Sequence, residues 1–162
     1  MIYLSAELAV HRSPELVWGV LADSSAYATW VMGLVDVEHD GGPPFGLGSQ
    51  FSVTWKLGPR RVHATTEITE FTATRSLSTE TRVGADLVLL DRLVLERGAQ
   101  PGVTRLVATS ELVERAGVLR LLSRSTGLLG SPHERRPEQA IYDRCFRELS
   151  LLIEARTAAP YR

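Results

Sequence analysis

Near the C-terminal end of the chain, Ile141, Cys145, Leu149 and Leu152 recur at helical spacing, with Tyr142, Phe146 and Ile153 beside them. Asp143, Arg144, Arg147, Glu148 and Glu154 take the other side. The pattern predicts an amphipathic helix over Glu138–Arg156, about five turns long, with an apolar stripe wide enough to face a core. Almost everything before it reads as strand. A single long helix after a run of strands must bury its stripe against the sheet those strands make.

Taken in order, Ile2, Leu4, Ala6, Leu8 and Val10 share one side of a first strand over residues 2–10. Ser13-Pro14-Glu15 opens a short helix to about Ala22, with Ser as N-cap and Pro at the first helical position. It is expected to turn Leu16, Val17, Val20 and Leu21 inward. Asp23-Ser24-Ser25 then caps a second short helix ending near Trp30. From Leu34 the period becomes two, with Val35 and Val37 opposite Asp36 and Glu38. Gly41–Gly48 reads as a loop, and Phe51, Val53, Trp55 and Leu57 form the clearest strand. Arg61–Phe71, Thr74–Val83, Asp86–Arg97 and Val103–Glu114 follow with short turns, as in an antiparallel meander. Helical spacing returns at Val118, Leu121, Leu122, Ser125 and Leu129, and Gly130, Pro132 and Pro137 predict a break before the terminal helix.

Composition narrows the functional classes. The formal net charge is −1, so nothing global points to nucleic acid or an anionic membrane surface. Lys56 is the only lysine among 18 basic residues, an Arg excess that reflects base composition more than recognition. Cys145 is the only cysteine, so no disulfide can form within the chain, as suits a reducing cytoplasm. No apolar run approaches the roughly 20 residues of a membrane span. The N-terminal residues alternate and lack a basic region, unlike a signal peptide. The expected location is cytoplasmic.

Strand, two short helices, six antiparallel strands and a long helix is an order that resembles the START-like, Bet v 1-like (SRPBCC) superfamily of polyketide cyclases and lipid-transfer proteins. Ser13–Val31 (SPELVWGVLADSSAYATWV) looks like its opening, Gly46–Thr81 is similar to its central hairpins, and Gly102–Leu112 (GVTRLVATSEL) to its last strand. The resemblance implies an α+β helix-grip fold: a curved antiparallel sheet of seven strands wrapped around a long C-terminal helix, with two short helices between strands 1 and 2. Residues 1–157 would form one such domain and 158–162 a frayed tail. It also implies an apolar cavity between sheet and helix. The resemblance does not align the aromatic polyketide cyclases' pocket set of arginine, aromatic and hydroxyl residues onto this chain, so no residue role is carried over from it.

Within such a cavity, Trp30, Val53, Trp55, Leu89, Tyr142, Cys145 and Leu149 are the expected ligand contacts. Trp18 and Tyr27 read as core. Cys145 reads as a small buried filler rather than a nucleophile. Strand 86–97 leaves two registers open. One turns Leu87, Leu89, Asp91, Leu93 and Leu95 inward, so that Asp91 is a cavity carboxylate with acid/base capacity. The other turns in Val88, Leu90, Arg92 and Val94, making Arg92 an anion or carbonyl anchor. His39 lies on an inward phase, the phase of His63 is unsettled, and His133 falls in the helix break. No HxH, HxxxH or CxxC spacing exists, so neither metal nor cofactor is expected. GxSxG is absent, and the glycines of 41–48 do not make a phosphate-binding GxGxxG. Glu67, Glu70 and Glu80 read as a solvated outer face.

These residues favour a module that binds a lipid, polyketide or isoprenoid-like molecule. The alternative is a polyketide cyclase or dehydratase using Asp91 or Arg92 with Tyr142 and His39. A weaker third reading has a protein partner meeting the break at 130–137. The expected partner is a hydrophobic small molecule, with no nucleic acid and no stable membrane insertion, and a homodimer is left open.

Overall fold

The computed structural model describes residues 2–39, 45–85, 87–114 and 137–157. Strands β1 (Ile2–Val10), β2 (Leu34–His39), β3 (Gln50–Leu57), β4 (Arg60–Thr72), β5 (Ser76–Val83), β6 (Leu87–Arg97) and β7 (Thr104–Glu114) form one sheet. Their order is β1-β7-β6-β5-β4-β3-β2, and every neighbouring pair is antiparallel. Between β1 and β2 lie helix α1 (Pro14–Leu21), a 3-10 turn (Ser24–Ala26) and helix α2 (Tyr27–Trp30). Helix α3 (Pro137–Thr157) crosses the inner face. This is the α+β helix-grip fold. The expected helix over 118–129, most of the break at 130–137, His133 and the tail at 158–162 lie outside the described residues.

Two irregularities fall in the outer half of the sheet. The register shifts between Leu34 and Asp36, where β2 meets β3, and between Ile68 and Glu70, where β4 meets β5. An extra residue on one strand raises local twist and bends it, which helps the sheet close around α3. The first shift corrects an expectation from periodicity. Val35 is 44% exposed, because the bulge takes it out of phase with Val37. In α1, Trp18 rather than Leu16 is buried beside Val17, Val20 and Leu21. Ser13 occupies the N-cap without a side-chain hydrogen bond, whereas Asp23 accepts one from the Ser25 N–H. The β6–β7 turn is tight. Gly98 N–H donates to the Val103 carbonyl at 2.9 Å, and a Cβ on Gly98 would lie 2.6 Å from that oxygen.

The core is uneven along α3. Leu149 and Ile153, in its second half, are fully buried, as are Val10, Val17, Leu21 and Leu106. Each such side chain contributes about 1.5–3 kcal/mol by leaving water. The first half of α3 instead lies over open space. At that end α3 is tied to edge strand β1. The Gln139 side chain donates through Nε2 to the Ser5 carbonyl at 2.7 Å and accepts from the Ser5 N–H at 3.3 Å. A side-chain amide thus occupies backbone groups that an edge strand otherwise leaves unpaired.

Candidate functional site

The open space is a cavity of about 340 Å³ between the inner face of the sheet, α2 and the first half of α3. It falls at the small end of the roughly 300–1,000 Å³ typical of small-molecule sites. Its walls come from alternate residues of several strands, because successive side chains on a strand point to opposite faces. Phe51, Val53 and Trp55 enter from β3, Leu77 from β5, and Leu89 and Leu93 from β6. Helix α2 adds Tyr27 and Trp30, and α3 adds Ile141, Tyr142, Cys145 and Phe146. The aromatic rings form a continuous wall. Ring centroids are 4.8 Å apart for Tyr142–Phe146, 5.7 Å for Trp30–Phe146 and 5.8 Å for Tyr27–Trp30. Met32 and Ile141 belong to the wall yet are 38% and 41% exposed, which marks the mouth between them.

A polar strip crosses this apolar chamber. Asp91 faces Ser110 across β6–β7 and Thr79 across β5–β6, and all three line the cavity. One step along, the Thr66 and Thr81 hydroxyls share a buried hydrogen bond of 2.8 Å. Asp91 keeps some accessible surface because it borders the cavity, but protein surrounds it closely. Desolvation raises its carboxyl to about pKa 6, while a hydrogen bond from Ser110 pulls in the opposite direction. The Tyr142 phenol is raised by desolvation first and by the Asp91 charge second, and so stays protonated. The Tyr27 hydroxyl is likewise raised by burial and donates to the Leu21 carbonyl at 2.9 Å.

Two further donors stand out. The indole nitrogens of Trp30 and Trp55 are buried without a hydrogen-bond partner. A buried orphan donor costs about 1–3 kcal/mol, and native structures rarely leave one. Both tryptophans are cavity-wall residues.

Of the expected contacts, Trp30, Val53, Trp55, Leu89, Tyr142 and Cys145 border the cavity. Leu149 does not: it is fully buried in the core farther along α3, where α1 packs on the helix. Asp91 is on the inner face, whereas Arg92 points outward, 59% exposed and 3.4 Å from Glu70. His39 is not a wall residue. Its Nε2 bonds the Ser24 hydroxyl and its ring packs on Phe45 and Phe51. His63 is exposed on the outer face, where its Nδ1 meets the Thr54 hydroxyl at 3.0 Å. Cys145 Sγ accepts from the Met32 N–H at 3.2 Å, and burial raises its thiol pKa, the reverse of an activated nucleophile.

Sequence reasoning missed Ser110, Thr79 and the Thr66–Thr81 pair. For Ser110 a signal existed: it shares a phase of β7 with Leu106 and Ala108, both fully buried. Tyr27, assigned to the core, also borders the cavity.

A larger groove of about 720 Å³ lies on the opposite face of the sheet, among Asp36, Glu38, Arg61, His63, Glu67 and Arg82. Several of its polar side chains pair with one another, as in Gln50–Glu67 at 3.2 Å and Arg82–Glu80 at 2.6 Å. The smaller inner cavity is the one whose chemistry suits an apolar molecule. Among the described residues no helix is long and apolar enough to cross a membrane.

A family model described as polyketide cyclase / dehydrase and lipid transport matches residues 1–126. No curated protein matches the chain. Among solved structures, the Zhui aromatase/cyclase from Streptomyces sp. R1128 is similar at 19% identity, with a TM-score of 0.68 over 98% of this chain and 96% of that one. A protein from Thermus thermophilus is similar at 15% identity and TM-score 0.70, over 97% and 100% of the two chains. Ara h 8.0201 is similar at 12% identity and TM-score 0.63, over 95% and 98%. At these identities the likeness concerns the fold alone.

Proposed function

Because the chain belongs to the polyketide cyclase / dehydrase and lipid transport family, we propose that it binds a small hydrophobic molecule, of lipid, polyketide or isoprenoid type, between the sheet and α3. The observation that carries this reading is the cavity itself, about 340 Å³ of space that opens between the sheet and α3 and is walled mainly by aromatic and aliphatic side chains. A packed interior tolerates few voids larger than a water molecule. One of this size, with a mouth and a few polar groups, has the character of a ligand site. Trp30 and Trp55 in the wall provide the test, since a bound apolar ligand alters their fluorescence. Leu89→Trp, which fills the space, is expected to abolish that response while the far-ultraviolet circular dichroism is unchanged. Titration of apolar ligands with no response in the unmodified protein would overturn the reading.

Asp91 favours a second reading, a cyclase or dehydratase working in the same cavity. A carboxyl with a pKa of about 6 is half ionised at about pH 6 and keeps a protonated fraction at neutral pH, close to the range where a group exchanges protons most effectively. Its neighbours Ser110 and Tyr142 carry hydroxyls for orienting a carbonyl or hydroxyl of a folded substrate. In this reading the cavity holds a flexible chain in one conformation and Asp91 removes or returns a proton. Turnover of a polyketide-type substrate that is lost in Asp91→Asn, with binding retained, would support it over simple binding.

A further inference from the structure

We propose that the cavity is built for a neutral molecule bearing hydrogen-bonding oxygens and selects against apolar carboxylates such as free fatty acids. The inference rests on the binding reading above and narrows it to a ligand class. Charge is the first argument. The charged side chains in the cavity wall, among the described residues, are Asp91 deep in the sheet and Glu138 in the first turn of α3. A carboxylate ligand inserted head first meets Asp91 in a poorly solvated chamber, where like charges repel far more strongly than in water. Inserted tail first, it leaves its head group near Glu138. Either orientation brings two negative charges together.

Hydrogen bonding is the second argument, and it joins Ser110 and Thr79 to Asp91. Asp91, flanked by Ser110 and Thr79 on neighbouring strands, offers acceptors to a ligand hydroxyl. A plain hydrocarbon would offer Asp91 no donor. A neutral ligand with a hydroxyl supplies that donor, which gives the carboxylate in this mainly apolar wall a role.

The test compares decanol with decanoate at pH 8, by displacement of the neutral fluorophore 1-aminoanthracene from the full chain and from Asp91→Asn. The decisive quantity is the ratio of the two affinities, because an ionised head group weakens entry to any apolar site. Asp91→Asn is expected to tighten decanoate about tenfold while decanol changes little, so the ratio narrows by that factor. Glu138→Gln, on the partly exposed first turn of α3, is expected to narrow it in the same direction and serves if Asp91→Asn fails to fold. A ratio unchanged in these variants, or decanoate bound as tightly as decanol by the unmodified protein, overturns the inference and leaves the binding reading standing. Failure of the fluorophore and both ligands to bind overturns the binding reading itself.

Discussion

Asp91 and Arg92 are neighbours in sequence and lie on opposite faces of the sheet. Asp91 borders the cavity opposite Ser110, whereas Arg92 pairs with Glu70 at 3.4 Å on the outer face. Glu70 also accepts from the Ser76 and Ser78 hydroxyls at 2.6 and 2.9 Å. The outer charge therefore has solvent and partners, while the inner one has a serine and little water.

That asymmetry makes stability depend on pH through Asp91. Its folded pKa of about 6 lies above the ordinary value of 3.8, so between those values the folded state holds a proton that the unfolded chain has lost. Stability then falls as pH rises through that window, and above it the full penalty applies. Asn carries no such penalty. Asp91→Asn is expected to be nearly neutral at pH 4 and stabilising at pH 8, by up to about 3 kcal/mol. Denaturant unfolding at both pH values checks this; an equal effect at both would show that Asp91 titrates alike in the two states.

The Thr66–Thr81 hydroxyl pair predicts non-additivity. Both residues are buried, 5% and 4% exposed, and each hydroxyl satisfies the other at 2.8 Å. Thr66→Val or Thr81→Val alone strands one hydroxyl and is expected to cost about 1–3 kcal/mol, whereas the double replacement should cost less than the sum. A double-mutant cycle in urea measures the coupling, and strict additivity would mean that water already satisfies both groups.

Along α3 and its partners, truncation should separate core from cavity wall. Leu149→Ala removes contacts on every side of a fully buried side chain and is expected to cost about 2–5 kcal/mol. Leu89→Ala enlarges a space that already exists, so it forfeits fewer contacts and should cost distinctly less. Thermal melts of the two variants decide; equal losses would indicate that Leu89 is packed as tightly as Leu149.

The Gln139–Ser5 bridge predicts a local effect. Gln139→Ala leaves the Ser5 N–H and carbonyl on the sheet edge without their side-chain partner. The expected loss is about 1 kcal/mol, with faster hydrogen exchange at the Ser5 amide and little change in the centre of the sheet. Uniform acceleration throughout the sheet would instead mark the bridge as part of the global fold.

Much of the architecture was legible before any coordinates. The long terminal helix, the pair of short helices and every strand follow from periodicity, caps and turns, with boundaries off by one or two residues. Local rules go wrong where a bulge intervenes, as at Val35, because one inserted residue reverses the phase of those after it. They also misjudged Leu16, since α1 is too short for its stripe to define a single face. The candidate cavity residues were legible in part. Trp30, Val53, Trp55 and Leu89 follow from inward phase, but Leu149 lies on the same stripe as Cys145 and nothing in that stripe says where the cavity ends.

By itself the sequence determined which residues share a face, because side-chain direction along a helix or strand is set by backbone geometry alone. Only the tertiary structure decided which face of β6 turns inward, because each phase carries a charged residue among apolar ones, and the register with β7 sets Leu93 and Leu95 beside the buried Ala108 and Leu106. It also decided that the first half of α3 spans a void while the second half is packed solid. That outcome depends on how far α1 and α2 reach across the sheet, a distance that no local pattern encodes.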